Sequence, residues 1–147
     1  MKVVRSCWIV LALAGCSSVA PPAGFLAQPA ETLRSQSQRL SVAVYTSPQP
    51  PTRGDQSVKY LIANVDSGKP ASGLALHVVP WMPEHGHGAS IVPSVTETAP
   101  GTYVISNVDL FMAGEWELRT TITAAPADSG EDGGIASDYV DPTFQIP

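Results

Sequence analysis

The sequence predicts an all-β domain, an immunoglobulin-like antiparallel sandwich of about seven strands. Apolar and polar residues alternate with a period of two in several segments, so that one face of each can be buried. Segments rich in Gly, Pro, Asp and Ser separate these strands at nearly regular spacing, as turns do in a sandwich. No stretch carries the apolar stripe of an amphipathic helix. A closed β-barrel is the alternative architecture.

The clearest strand is GEWELRTTIT, residues 114–123, where Trp116, Leu118 and Ile122 alternate with polar side chains. This alternation places Trp116 in the core, and the same argument places Tyr103 there. The other predicted strands share the alternation or the β-branched and aromatic enrichment of strands. They cover residues 39–46, 57–65, 74–81, 91–97, 101–108 and 139–146.

The first 15 residues have the pattern of a secretory signal peptide. Lys2 and Arg5 precede an apolar run that is shorter than the roughly 20 residues a membrane span requires. Leu-Ala-Gly-Cys at residues 13–16 resembles the bacterial lipobox, so we expect Cys16 to be lipidated and to become the first mature residue. Ser17, in place of aspartate, resembles the outer-membrane sorting pattern. We therefore expect a lipid anchor in the cell envelope, on the outer membrane facing the periplasm in a Gram-negative cell.

Behind the signal peptide, the composition divides the chain into two parts. Residues 16–38 mix Ser, Pro, Ala and Gln with few large apolar residues, which predicts a flexible tether. Residues 39–147 are of normal size for a single domain. In a sandwich of seven strands the first strand would enter at the pole opposite the loop after the third strand, so the tether is expected at that opposite pole.

Composition also excludes several classes of function. The eight Lys and Arg residues include Lys2 and Arg5 of the signal peptide, so the mature chain has six basic against 13 acidic residues. Such an acidic domain is a poor binder of nucleic acid, which needs clustered basic residues. With Cys16 acylated, no thiol remains for a disulfide or a thiolate metal site. No motif of a known catalytic class is present, so we do not expect an enzyme.

The segment PWMPEHGHG, residues 80–88, carries the most chemistry. In the predicted sandwich, the loop containing it shares a pole with the loop DLFMAG, residues 109–114. Two imidazoles and two thioethers form a ligand set that suits copper, Cu(I) especially, and Glu84 is a candidate harder ligand or hydrogen-bond acceptor. The alternative is a tight turn without metal, which the prolines and glycines would explain. The candidate metal ligands are Met82, His85, His87 and Met112.

A resemblance supports the metal hypothesis. The segment from Val58 to Thr123 resembles the YtkA-like family of exported bacterial domains, with a Met-Pro-x-x-Gly-His-Gly type element, then Gly-x-Tyr, then Met-x-Gly-x-Trp. His85 stands where the family often has methionine, which keeps a metal ligand. The resemblance, together with that to FixH-like proteins of oxidase assembly, implies an immunoglobulin-like sandwich with a role in copper handling or oxidase maturation. The matching positions are Met82, Pro83, Gly86, His87, Gly88, Gly101, Tyr103, Met112, Gly114 and Trp116.

Two functions of different classes follow. The first is a lipid-anchored module that binds copper through the Met/His loop and exchanges it with a soluble donor or acceptor protein. The second is a structural or protein-interaction domain without metal. His77, the third histidine, is expected to be an exposed or core-edge residue of a strand, because it alternates with Ala75 and Val79.

Overall fold

The computed structural model describes residues 24–124 and 137–147, which form two antiparallel sheets of five strands each. The sandwich prediction is confirmed, because the sheets do not close into a barrel. In the described residues no helix has the length and apolar character of a membrane span. The ten strands are β1 (Glu31–Arg34), β2 (Leu40–Ser47), β3 (Gly54–Asn64), β4 (Leu74–Met82), β5 (His87–Gly88), β6 (Ser94–Ala99), β7 (Thr102–Leu110), β8 (Gly114–Ala124), β9 (Asp138–Val140) and β10 (Thr143–Ile146).

The first sheet has the order β1-β2-β3-β7-β6, and the second has the order β10-β8-β4-β5, with β9 also paired to β8. Alternate residues of both sheets point inward and form one core. Trp116 and Tyr103 belong to it, with 0% and 1% of their surfaces exposed, as the alternation predicts. The Tyr60 hydroxyl lies 3.1 Å from Thr120 Oγ1 of the facing sheet. Burial raises the pKa of Tyr60 well above its ordinary value.

The strands differ from the prediction in three places. The segment predicted as a tether contributes β1, which pairs antiparallel with β2. The His-Gly-His loop contributes the two-residue β5, which pairs with β4. The predicted last strand is divided into β9 and β10, because Asp141 and Pro142 lie between them and proline has no N–H for a sheet ladder. The Pro142 carbonyl still accepts a hydrogen bond from Leu118 N, at 2.8 Å.

The strands end at two poles. One pole, the Met/His pole, holds the ends of β2, β4 and β7 and the start of β8. The other, the Asp138 pole, holds the starts of β2 and β4 and the end of β3, and Asp138 lies there opposite Ile122. The eleven residues of β3 give the sandwich a length of about 36 Å between the poles, at about 3.3 Å per residue.

The structure corrects the predicted entry of the tether. Because β1 runs antiparallel to β2, and β2 begins at the Asp138 pole, the chain enters β1 from the direction of the Met/His pole. Ala30 N donates to Val44 O at 2.7 Å, and a Cβ atom added to Gly24 would lie 3.2 Å from Ser47 Oγ. The prediction of an entry opposite the His loop is therefore wrong. It failed because one additional strand reverses the direction from which the chain arrives.

Candidate functional site

The end of β4 folds back on itself to present the histidines. Met82 O accepts hydrogen bonds from His85 N at 3.3 Å and from Gly86 N at 2.9 Å. Gly86 has a φ of +66°, a conformation that favours glycine. After this turn, His87 and Gly88 pair with Met82 and Trp81. The loop is thus a tight turn, as the alternative interpretation requires, and it also fixes the backbone that carries both imidazoles.

Gly88 is necessary for this return of the chain. A Cβ atom at that position would lie 2.6 Å from Pro80 O and 3.3 Å from an atom of the Trp81 ring. Any larger residue would push β5 away from β4. The sequence therefore needs a glycine directly after His87 if His87 is to remain in register with Met82.

The register brings Met82 and His87 together. Directly opposed residues of an antiparallel pair project to the same face of the sheet, with Cβ atoms about 4.5–5.5 Å apart. Met82 is fully buried, whereas His87 is exposed at the rim of the sandwich. The Met82 methyl group also lies close to the second loop, residues 109–114. A Cβ atom added at Gly114 would be 2.9 Å from this methyl group.

Aromatic contacts join the two loops. The His87 ring stacks on Phe111, with centroids 6.1 Å apart and planes inclined by 19°. Phe111 meets Trp116 edge-on at 5.4 Å, and Trp116 Nε1 donates to Met112 O at 3.0 Å. The loops predicted to share a pole do meet, and buried Trp116 supports the second one from below.

Each predicted ligand can now be located. The imidazoles of His85 and His87 are both exposed, with centroids 5.7 Å apart and planes inclined by 46°. Met112 is half-buried and packs against the core. Met82 is the last residue of β4 rather than a loop residue, and its side chain is part of the core. Sequence reasoning missed Phe111, whose signal was an aromatic residue directly before Met112 in the short loop between β7 and β8.

The described residues contain no group of three or more His, Cys, Asp or Glu side chains that could hold a metal ion. The candidate site at the Met/His pole consists instead of two imidazoles and two thioethers. His77 is exposed on the outer face of β4, as expected. Trp81 lies on the same outer face. Its ring makes a cation–π contact with the Arg119 guanidinium, which lies 4.7 Å from the ring centroid.

The Asp138 pole has a different chemistry. Asp138 accepts hydrogen bonds from Ser37 N at 2.9 Å, Ser37 Oγ at 2.6 Å and Tyr139 N at 3.0 Å. Burial alone would raise the pKa of this carboxyl, but the hydrogen bonds, with one from Ser35, outweigh it and lower the pKa. The carboxylate closes the turn between β1 and β2 against β9, and this role is structural.

Comparison with known proteins identifies the family. The YtkA-like family model matches residues 34–121, which is more than half of the chain. The chain belongs to the YtkA-like family. No curated protein sequence matches it. The chain is also similar to a solved structure of a copper-bound variant of FetP from uropathogenic Escherichia coli strain F11. The two sequences are 12% identical, the TM-score is 0.49, and the alignment covers 81% of this chain and 90% of the FetP chain.

Proposed function

We propose that this YtkA-like protein is a lipid-anchored module of the cell envelope that binds copper at the Met/His pole. The observation that supports the proposal most directly is the meeting of two loops. One presents His85 and His87 with ring centroids 5.7 Å apart, and the other carries Met112 next to Phe111, on which His87 stacks. Residues about 25 positions apart in sequence are thereby neighbours at a solvent-accessible rim.

The chemistry of the donor atoms favours copper among the common metals. Imidazole suits several transition metals, but thioether sulfur selects soft ions, Cu(I) above all. Zinc sites draw on Cys, His and carboxylates, and calcium sites on oxygen atoms. In this proposal His85 and His87 are the principal ligands, Met112 is a supporting ligand, and Met82 provides a buried thioether beneath His87. Glu84, which is exposed in the same turn, is a candidate acceptor for an imidazole N–H.

Copper titration of the full chain, purified in detergent, tests the proposal. Cu(I) would be titrated under reducing conditions in competition with a chromogenic chelator. We expect His87→Ala to weaken binding at least tenfold, about 1.4 kcal/mol. The double variant His85→Ala, His87→Ala should lose more, and Met112→Leu should lose less than His87→Ala because a thioether only supplements the imidazoles.

His77→Ala is the matched control. It removes the third histidine, which is exposed on the outer face of β4 five residues before Met82, and its Cu(I) affinity should equal that of the wild type. If His87→Ala also binds like the wild type, the loop is only a turn and any bound copper lies outside the Met/His pole; if the wild type binds no Cu(I), the protein is a binding or structural domain without copper. An equal loss for His77→Ala and His87→Ala would indicate unspecific binding by surface imidazoles.

The lipid anchor has its own test. Cys16→Ser should abolish lipidation and release the protein from the membrane fraction, and mass spectrometry of the wild-type N-terminus should show the added lipid. If the variant stays in the membrane fraction and the wild type carries no lipid mass, the anchor is excluded. This result is independent of copper binding.

A further inference from the structure

The first residues that the structure describes, 24–30, are docked on the outer face of the first sheet. We call these residues the N-terminal strap. Phe25 covers the Lys59 ammonium group, which lies 4.9 Å from the Phe25 ring centroid and 4.0 Å from that of Tyr45. Gln49 Nε2 donates to Gln28 O at 3.0 Å, so the turn after β2 also holds the strap.

The Lys59 side chain is the centre of this attachment. Lys59 pairs with Tyr45 of β2 on the outer face, and only 4% of its surface is exposed, which is unusual for lysine. Burial lowers the pKa of Lys59. A cation that two aromatic rings cover in this way is attracted to the electron-rich face of each ring and so holds the rings in place.

The strap runs toward the Met/His pole. Ala30 is bonded to Val44, and Gly24 lies against Ser47, the last residue of β2. Ser47 and Met82 both end strands at this pole, whereas the turn containing Ser67 lies at the Asp138 pole, after the end of β3. Gly24, the first described residue, therefore lies at the same pole as the candidate copper site.

We propose that the N-terminal strap makes the tether leave at the Met/His pole, so that the lipid on Cys16 holds this pole facing the membrane. This inference depends on the lipid anchor of the proposed function but not on copper binding. Cys16 and Gly24 are eight positions apart, and a chain of that length spans at most about 26–29 Å. The Met/His pole then stays close to the lipid surface, and the Asp138 pole projects about 36 Å further out.

Energy transfer to the membrane tests this orientation in the lipidated full chain. A donor dye would be attached to Glu84→Cys at the Met/His pole or to Ser67→Cys at the Asp138 pole, both exposed positions. The protein would be reconstituted in phosphatidylethanolamine–phosphatidylglycerol vesicles that contain a headgroup-labelled acceptor lipid. We expect the dye at position 84 to lie nearer the acceptor surface than the dye at position 67, by about 20–35 Å.

A strap variant separates the role of the strap from that of the tether alone. Phe25→Ala with Lys59→Gln should reduce the difference between the two dye distances by at least half, because the domain would hang from a longer tether. Leu26→Ala is the control, since Leu26 is 55% exposed on the strap and should leave the difference unchanged. Thermal unfolding of the strap variant would show that the sandwich is intact.

Several outcomes would overturn the proposal. Equal distances for the two dyes, or a nearer dye at position 67, would show that the Met/His pole does not face the membrane. An unchanged difference in the strap variant would show that the strap does not set the orientation. If the wild-type protein carries no lipid on Cys16 and does not bind the vesicles, the lipid anchor on which the proposal depends does not exist. These measurements are made without copper, so their results do not depend on whether the protein binds copper.

Discussion

The two poles of the sandwich use polar side chains in opposite ways. At the Asp138 pole, the buried carboxylate accepts hydrogen bonds from Ser37 and Tyr139. At the Met/His pole, the contacts of the imidazoles are ring contacts, of His87 with His85 and with Phe111, and both rings remain exposed. In the first arrangement, the carboxylate oxygens take part in hydrogen bonds that stabilise the fold. The second holds the side chains in place through their rings and leaves the nitrogen atoms available for a ligand.

This difference has a physical basis. Burying a carboxylate costs free energy unless hydrogen bonds stabilise its charge. At the Asp138 pole, Ser37 and Tyr139 donate these hydrogen bonds. An imidazole at a rim can keep water on its nitrogen atoms and be oriented by stacking, which is worth about 0.5–1.5 kcal/mol for an aromatic pair. Substitutions that act on one pole and not on the other separate these two arrangements.

The largest effect is expected from Trp116→Ala. Trp116 is fully buried, meets Phe111 edge-on and donates to Met112 O, so its loss would leave a cavity beneath the Met/His pole. We expect a loss of about 3–5 kcal/mol in the free energy of unfolding. Glu115→Ala, at an exposed neighbouring position, should change little. Chemical denaturation of both variants measures this, and similar losses would mean that the register of β8 is not as described.

Asp138→Asn should have the next largest effect. The amide would leave Ser37 Oγ facing an N–H group instead of an acceptor, at a cost of about 1–3 kcal/mol. Asp66→Asn, an exposed position at the same pole, is the control. Copper affinity should be unchanged in both variants, because the substitutions lie at the opposite pole from His87.

The lowered pKa of the Asp138 carboxyl should make the stability of the protein depend on pH. The folded-state pKa of Asp138 is lowered, so its contribution is present at neutral pH and is lost as the pH falls below about 4, through the lowered pKa. The wild type should therefore lose stability in that range more steeply than Asp138→Asn. Parallel curves for the two proteins would exclude this contribution.

Most of the sandwich could be predicted from the sequence, because long strands with one buried face have a clear period of two. β8 and β3 are such strands, with eleven residues each. β1 has only four residues, of which Leu33 is its one large apolar side chain, and it gains its stability from pairing with β2. Local pattern cannot show such pairing. Missing this one strand was enough to place the tether at the wrong pole.

The candidate site was partly predictable for a related reason. The expectation that the His loop and the Met112 loop share a pole depends only on counting the strands between them, and the structure brings these loops together. The burial of Met82 depends on where β4 ends, and strand ends are poorly defined by sequence. The pairing of His87 with Met82 comes from β5, whose two residues are too few to show a period.

Gly88→Ala should affect both the Met/His pole and overall stability. The added methyl group would meet Pro80 O at 2.6 Å and displace β5, and with it His87. We expect the free energy of unfolding to fall by about 1–3 kcal/mol and the Cu(I) affinity to fall by at least as much as in His87→Ala. Gly86→Ala is the comparison, since its Cβ atom would meet nothing within 4 Å and only the φ of +66° is unfavourable. A Gly88→Ala variant with wild-type affinity would show that the position of β5 does not matter to the site.

The smallest effect on stability is expected from Phe111→Leu. Phe111 is 44% exposed, so the substitution should cost less than about 1 kcal/mol of folding free energy. It removes the ring on which His87 stacks at 6.1 Å, however, and so releases the imidazole to adopt other orientations. If stacking orients the ligand, Cu(I) affinity should fall by about threefold to tenfold, the equivalent of about 0.5–1.5 kcal/mol. Phe111→Tyr keeps the ring and should bind like the wild type. Equal affinities for Phe111→Leu and Phe111→Tyr would show that the backbone of β5 alone orients His87, and that Phe111 serves only to cover Trp116.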